Sequence, residues 1–174
     1  LSLQPLPRGN RVAIITATGG AGVLLTDASA EAGLVPATFS PATRTELRTL
    51  SPRWGGNPVD VGPQMSLRDN PFAIYSEIVP MVLSDPNVDC LAVVCHFGEP
   101  VVKVLTELAP RIAKTGKPVT VFGYGIDLAD MQESGRKIEA LGLPVYLDLE
   151  TAVKALGVGA AYSRIRARLA QNRQ

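Results

Sequence analysis

The stretch Arg11-Val-Ala-Ile-Ile-Thr-Ala-Thr-Gly-Gly-Ala-Gly-Val-Leu-Leu-Thr-Asp27 most constrains what this chain can become. A β-branched apolar run ends in three glycines, Gly19, Gly20 and Gly22, and a helical pattern follows at once. That order is how a buried parallel strand passes into a helix with nothing bulky over its N-terminus. The first N–H groups of such a helix have no acceptors within it and carry about half a positive charge, so they can hold an anion. Glycine lets the anion approach the backbone. The residues expected to line a phosphate or carboxylate site are Thr18, Gly19, Gly20, Ala21 and Gly22. A second reading stays open, in which the glycines serve only close packing of helix on strand.

The same alternation continues along the chain. Strands are expected at Val12–Thr16, Leu34–Phe39, Asp89–His96, Pro118–Phe122 and Pro144–Leu147, separated by helices. Ser40 caps a short helix with Pro41 at its first position, Asp127 and Asp148 cap two later ones, and Gly33 closes the first. Ser51–Asp69 reads as irregular, and Pro58, lacking an N–H, places its segment at a sheet edge or in a loop. Such βαβ alternation demands parallel strands and right-handed crossovers. The expectation is therefore an α/β, flavodoxin-like, doubly wound parallel sheet of about five strands in the order 2-1-3-4-5, forming a single domain. Residues 1–10 read as a linker, 11–168 as the domain and 169–174 as a tail.

Composition narrows the function. With 174 residues, 46% hydrophobic, the chain can bury a real core. A net charge of +1 provides no general field for nucleic acid or acidic lipid, and no apolar run approaches the ~18 residues of a membrane span. Cys90 and Cys95 lie on one expected strand, about 16 Å apart on opposite faces, beyond the ~7 Å reach of a disulfide. Two unpaired thiols point to a reducing cytoplasm. One histidine and two cysteines do not make a zinc site, and no metal is expected in this chain. Whether it forms a homo-oligomer is left open.

In the 2-1-3-4-5 order the first and third strands are neighbours at a switch point, where ligands bind beyond the strands' carboxyl ends. Two turns converge there, Thr18–Gly22 and Cys95-His-Phe-Gly-Glu99. His96, Phe97, Gly98 and Glu99 are accordingly expected near a substrate, together with Asn57 and Asp60 of the irregular segment. Each also has a plainer reading: His96 as a hydrogen-bonded strand end, Glu99 as a first-turn acid favouring the helix dipole, Asp60 as the cap of its own turn. Arg164, Arg166 and Arg168 close the last helix, where cations complement its dipole. Several motifs are absent: the third glycine of the dinucleotide fingerprint, the Gly-x4-Gly-Lys-Ser/Thr phosphate loop and the Gly-x-Ser-x-Gly elbow. A flavin would want flanking aromatics, for which Phe97 and Tyr124 are the candidates.

A family resemblance rests on several segments in order: Gly9-Asn-Arg-Val-Ala-Ile-Ile-Thr-Ala-Thr-Gly-Gly-Ala-Gly-Val-Leu24, Leu47-Arg-Thr-Leu50, Gly56-Asn-Pro-Val-Asp-Val-Gly62, Leu83-Ser-Asp-Pro-Asn-Val-Asp-Cys-Leu-Ala-Val-Val94, Gly116-Lys-Pro-Val119 and Ala140-Leu-Gly-Leu-Pro-Val-Tyr146. Together they resemble the last domain of the α portion of NDP-forming acyl-CoA synthetases, such as ADP-forming acetyl-CoA synthetase, in the succinyl-CoA synthetase superfamily. The resemblance implies a ligase that converts acyl-CoA, phosphate and ADP into acid, CoA and ATP, or the reverse, through a phosphohistidine. The helix opening at Gly19 would aim its amides at that phosphohistidine, and His96–Glu99 would lie near the acyl carboxylate. The His-Thr-Gly or His-Ala-Gly loop that carries the phosphorylated histidine has no counterpart here, and Asn-Ala-Gly-Gly stands as Ala17-Thr18-Gly19-Gly20. The resemblance thus implies no catalytic residue in this chain and no activity by the chain alone. The implied partners are a CoA-binding domain, a phosphohistidine-loop domain and an ATP-grasp domain. The whole enzyme would use CoA, ATP or ADP, and Mg, with no cofactor held by this domain alone. The alternative is a stand-alone anion-binding regulatory or scaffold module. Valine at Gly20 or Gly22 is expected to leave the fold intact and abolish phosphoryl transfer.

Overall fold

Arg11–Thr16 forms the first strand, β1, and the computed structural model describes residues 4–172 around it. The elements that follow are α1 (Gly19–Glu31), β2 (Val35–Pro36), α2 (Pro41–Leu50), β3 (Val59–Asp60), α3 (Gly62–Met65), α4 (Ala73–Ser84), β4 (Cys90–His96), α5 (Glu99–Thr115), β5 (Val119–Tyr124), α6 (Leu128–Ala140), β6 (Val145–Tyr146) and α7 (Leu149–Gln171). The strands are all parallel, in the order β2-β1-β4-β5-β6, with β3 also paired to β1. The expected five-strand order is present, and the sixth strand is the addition.

Strand alternation explains the two-sided core. Val12 and Ile14 of β1, with Cys90, Ala92 and Val94 of β4, face α1 and α7, where Leu25, Ala28, Val153 and Leu156 meet them. Ala13, Ile15, Leu91, Val93 and Cys95 face the opposite layer, which includes Leu47, Ile78, Leu105 and Ile138 from α2, α4, α5 and α6. The thiols of Cys90 and Cys95 therefore sit on opposite faces, unpaired, and burial pushes each up to about 12. Among the described residues no helix is long and apolar enough to cross a membrane.

Helix starts follow the sequence signals. Ser40, Asp127 and Asp148 accept from the amides of Thr43, Asp130 and Thr151, and Gly33 takes the positive φ of 73° that the end of α1 requires. Residues 4–10 lie against the domain: the Gln4 side chain donates to the Gly142 carbonyl and accepts from the Val119 amide at 3.0 Å. At the other end α7 runs through Gln171, so residues 169–171 of the expected tail are helical. Residues 1–3 and 173–174 lie outside the described residues.

The largest departure is at the edge of β1. The expected second strand, Leu34–Phe39, pairs only at Val35 and Pro36. The Ala37 amide still donates to the Val12 carbonyl at 2.8 Å, and the ladder stops after it. Beyond it, the Asn57 side chain takes the place of a strand. Its Oδ1 accepts from the Ile14 amide at 2.9 Å, and its Nδ2 donates to the Val12 carbonyl at 2.8 Å and the Ala37 carbonyl at 3.2 Å. Two residues further on, β3 begins and pairs Val59 and Asp60 with Ile15 and Thr16. The segment expected to be irregular thus contributes a rung to the sheet and the short helix α3.

The amino-end edge is fixed by acids. Asp89 accepts from the Arg11 amide at 2.9 Å and from its Nε at 2.8 Å and Nη2 at 2.9 Å, and these bonds hold its carboxyl below the usual range. Burial pushes Asp85 up, but hydrogen bonds from the Asn87 amide, the Thr43 hydroxyl and the Ser40 amide outweigh it, leaving its carboxyl lowered as well.

Two outcomes follow from these contacts. Both carboxyls bind protons more weakly folded than unfolded, so their contribution is complete above the unfolded Asp value of about 3.9 and drains as pH falls through their lower folded values. Urea unfolding at pH 7 and pH 3 will show the loss, and Asp89→Asn will narrow the difference between the two. Asn57→Ala orphans the Ile14 amide, which nothing else satisfies, and will lower stability by about 1–3 kcal/mol in the same measurement.

Candidate functional site

Three segments meet at the carboxyl ends of β1, β3 and β4: the β1–α1 turn, the β3–α3 turn and the β4–α5 turn. The first is locked by its own threonines. The Thr16 hydroxyl donates to the Thr18 carbonyl at 2.7 Å and accepts from the Thr18 amide at 3.1 Å. Thr18 is extended, with φ −143° and ψ 135°, and its hydroxyl caps α1 by accepting from the Ala21 amide at 3.4 Å. The Gly22 amide bonds to the Thr18 carbonyl at 3.3 Å. Among the described residues nothing accepts from the amides of Gly19 and Gly20, and Thr18, Gly19 and Gly20 are all exposed. The first turn of α1 carries no acid. The helix tip is therefore bare and positive.

The glycines divide by role. A Cβ on Gly20 would meet nothing within 4 Å. Gly22 is buried, and a Cβ there would stand 3.1 Å from Thr16 Cγ2 and 3.3 Å from Pro58 Cβ. Gly22, expected to bind phosphate, instead lets α1 pack on Pro58, and valine there collides with its neighbours. The expectation that Gly22→Val leaves the fold intact is corrected.

Asn57 is likewise corrected. All three of its side-chain bonds go to backbone, so it holds the sheet edge and has no reach to a substrate. Asp60 does face the crevice. Its Oδ1 accepts from the Gly62 amide at 3.0 Å, capping its own turn, while its Oδ2 lies 3.3 Å from where a Cβ on Gly19 would stand. A Cβ on Gly62 would be 2.3 Å from the Ala17 carbonyl oxygen, so only glycine lets the two turns touch. A 350 Å³ groove beside the tip is lined by Gly19, Gly22, Val23, Asp27, Pro58 and Asp60 among others, and so carries two carboxylates.

The β4–α5 turn is less open. Phe97, expected near the substrate, turns into the core at 3% exposure and lays its ring over Gly123. This also takes away one of the two aromatics a flavin would have used. His96 is half-buried at the end of β4, its ring edge-on to Tyr124 with centroids 5.3 Å apart. Gly98, at φ 153°, is the cap of α5, a conformation that favours glycine. Glu99 lies in the first turn of α5 and pairs with Lys137 at 2.9 Å, and Pro100 supplies no N–H. A cavity of 710 Å³ runs between α4 and α5 past Ser76, Lys103 and Glu107 and touches the crevice only through Glu99 and Pro100. It contains none of the bare amides. Among the described residues no three His, Cys, Asp or Glu side chains gather as metal ligands.

Sequence reasoning missed three features: the Thr18 cap, the Asn57 rung and the Pro58–Gly22 contact. Thr before a glycine-opened helix is a legible cap signal. Nothing in the sequence reveals the other two, since each joins residues twenty or more positions apart.

Comparison with known proteins agrees with this architecture. Residues 12–165 match the Ligase-CoA domain family. The chain is 33% identical over 170 residues to acetate–CoA ligase [ADP-forming] II of Archaeoglobus fulgidus, covering 95% of this chain and 24% of that protein. It is 35% identical over 155 residues to the acetate–CoA ligase [ADP-forming] II subunit alpha of Pyrococcus furiosus, covering 82% of this chain and 32% of that subunit. A solved structure of the dinucleotide forming acetyl-coenzyme A synthetase 1 of Ca. Korarchaeum cryptofilum, in complex with phosphate and ADP, superimposes with a TM-score of 0.77 at 26% identity, over 98% of this chain and 37% of that one. The chain thus spans about a quarter to a third of the curated relatives it matches. The fold, the order of its turns and these matches agree: the chain belongs to the Ligase-CoA domain family and is homologous to ADP-forming acyl-CoA ligases.

Proposed function

We propose that this chain is the phosphate-clamping part of an ADP-forming acyl-CoA ligase, in which the N-terminus of α1 stabilises the phosphate of a phosphohistidine that another domain supplies. The observation that carries this reading is the pair of unoccupied, exposed amides at Gly19 and Gly20, fixed in direction by the Thr18 cap. Preorganised donors of this kind lower a barrier because they need no reorganisation when charge arrives. The overall reaction joins acyl-CoA, phosphate and ADP into acid, CoA and ATP, or runs in reverse. CoA, nucleotide and Mg would be held by the CoA-binding and ATP-grasp domains, and the histidine by its own loop. The amides of Gly19 and Gly20 stabilise the phosphate, while Thr18 holds the Ala21 amide and so fixes the direction of the tip. His96, Gly98 and Glu99 flank the acyl end of the crevice.

Asp60 explains why the work is shared. Its carboxylate stands beside the same tip, and two unit charges about 4 Å apart repel by roughly 1–4 kcal/mol across the range from water to protein surface. The lone tip therefore holds a free phosphate poorly until further positive groups complete the site. A stand-alone anion-binding module would need the opposite balance.

Calorimetry of the chain with inorganic phosphate will show binding weaker than about millimolar, and micromolar binding would instead favour the stand-alone module. Gly19→Pro tests the clamp itself. It deletes one donor at the first helical position, where proline is tolerated, and Thr18 already has the extended backbone that proline demands. In the full-length enzyme this change will slow phosphohistidine formation about 10²–10³-fold, by analogy with loss of one oxyanion-hole donor. Phosphohistidine formed at the wild-type rate by that variant would rule the role out.

A further inference from the structure

The last helix carries a face that the domain does not use. Through Gly159, α7 buries Ala152, Val153, Leu156, Gly157 and Gly159 against the sheet. From Arg164 to Asn172 every residue is exposed. On the outer side stand Val158, Tyr162, Ile165 and Leu169, exposed by 58%, 48%, 51% and 56%. Their spacings of four, three and four residues line them up within about 60° of the helix surface, roughly 180° from the buried face. Arg166 flanks this line on one side and Arg168 on the other. None of Arg164, Arg166 and Arg168 makes an ion pair among the described residues.

We propose that this end of α7 docks an amphipathic helix from another segment of the enzyme, one whose own apolar seam is flanked by Glu or Asp. Width argues for a helical partner. A 3.5-residue seam of about 60° fits knobs into the holes of one facing helix, whereas a helix lying on a membrane presents an apolar face of 100° or more. Charge selects the acidic flanks. With Tyr162 and Leu169 at the a positions of a heptad and Val158 and Ile165 at d, Arg166 falls at e and Arg168 at g. A second copy of this chain offers no acid there, since its e positions are Ala152, Gly159 and Arg166 and its g positions Lys154, Ala161 and Arg168, while an acidic helix pairs with both arginines. The hollow behind the seam has the same sign. Its 380 Å³ are lined by Arg8, Asn10, Ser163 and Arg164. The relatives, three to four times longer than the matched region, contain the polypeptide on which such a helix can lie. Ile165 is sixteen residues into α7, about 24 Å along the axis from the carboxyl edge of the sheet. The surface is therefore separate from the α1 tip, and the proposal does not depend on the phosphate clamp.

The test is fluorescence anisotropy of the chain with two synthetic three-heptad helices, both with leucine at a and d, one with glutamate and one with lysine at e and g. The glutamate peptide is expected to bind at least tenfold more tightly than the lysine peptide. Arg166→Glu with Arg168→Glu will reverse that preference, and Ile165→Asp with Leu169→Asp will weaken the glutamate peptide at least tenfold while leaving circular dichroism unchanged, because these half-exposed side chains belong to neither core cluster. Absence of binding, equal affinity for both peptides, or binding indifferent to the aspartates would overturn the proposal. So would a wild-type dimer in sedimentation that the aspartates dissolve, which assigns the seam to a second copy. Aspartate-sensitive partition onto phosphatidylserine vesicles would overturn it in favour of lipid.

Discussion

The side-chain amide of Asn57 is the contact on which the carboxyl end of this fold depends. β1 is six residues long, but its outer edge has a backbone partner only at its two ends, Val35–Pro36 and Val59–Asp60. Between them Asn57 imitates a peptide group, accepting from Ile14 and donating to Val12 and Ala37. A buried strand edge left unpaired is costly, since each orphaned backbone group loses its hydration without replacement. By closing that gap, one side chain lets the chain leave the sheet at Pro36 and return at Val59. The return brings Pro58 onto Gly22 and Asp60 beside Gly19. The rung that completes the sheet is thus also the device that shapes the crevice.

Two helix tips open into that crevice, and they are not equivalent. The α5 tip contains Glu99 in its first turn and Pro100 in place of a donor, so its dipole is already answered by a carboxylate that Lys137 holds in place. The α1 tip has no acid of its own, and its nearest carboxylate, Asp60, is engaged with Gly62 through one oxygen. Of the two, α1 retains the unspent positive potential. On the proposed reading, an anion entering between them would be drawn to Gly19 and Gly20.

The alternation of strands and helices, the order of the sheet and three of the caps were legible because each depends on residues close in sequence. Pro41 after Ser40, or Asp127 and Asp148 ahead of apolar periods, act within one turn. Gly33 was legible for the same reason. The crevice was legible as a place, since the switch point follows from strand order, but how the side chains pack around it was not. Gly20 and Gly22 look alike in sequence, and only Pro58, thirty-six positions away, makes the second a packing residue. Phe97 follows His96 and precedes Gly98, which reads as a substrate turn, yet the space over Gly123 on the next strand takes its ring inward. The second strand was overestimated because Leu34–Phe39 has strand composition, while its partner edge had already been given to Asn57.

A parallel sheet segregates functions along its strands, and this chain uses both ends. The carboxyl end gathers the helix N-termini, and with them positive potential suited to an anion. The amino end gathers helix C-termini, where α7 projects past the core. The dipole of α7 is sufficient reason for Arg168 near its end. It gives no reason for Val158, Tyr162, Ile165 and Leu169 to share one solvent-facing line, because a helix end that only needs water is more stable in solution with polar residues there. Four large apolar side chains left in register on the outer face of a helix are best accounted for by a surface that covers them, and the arginines on both flanks fix the sign of that surface.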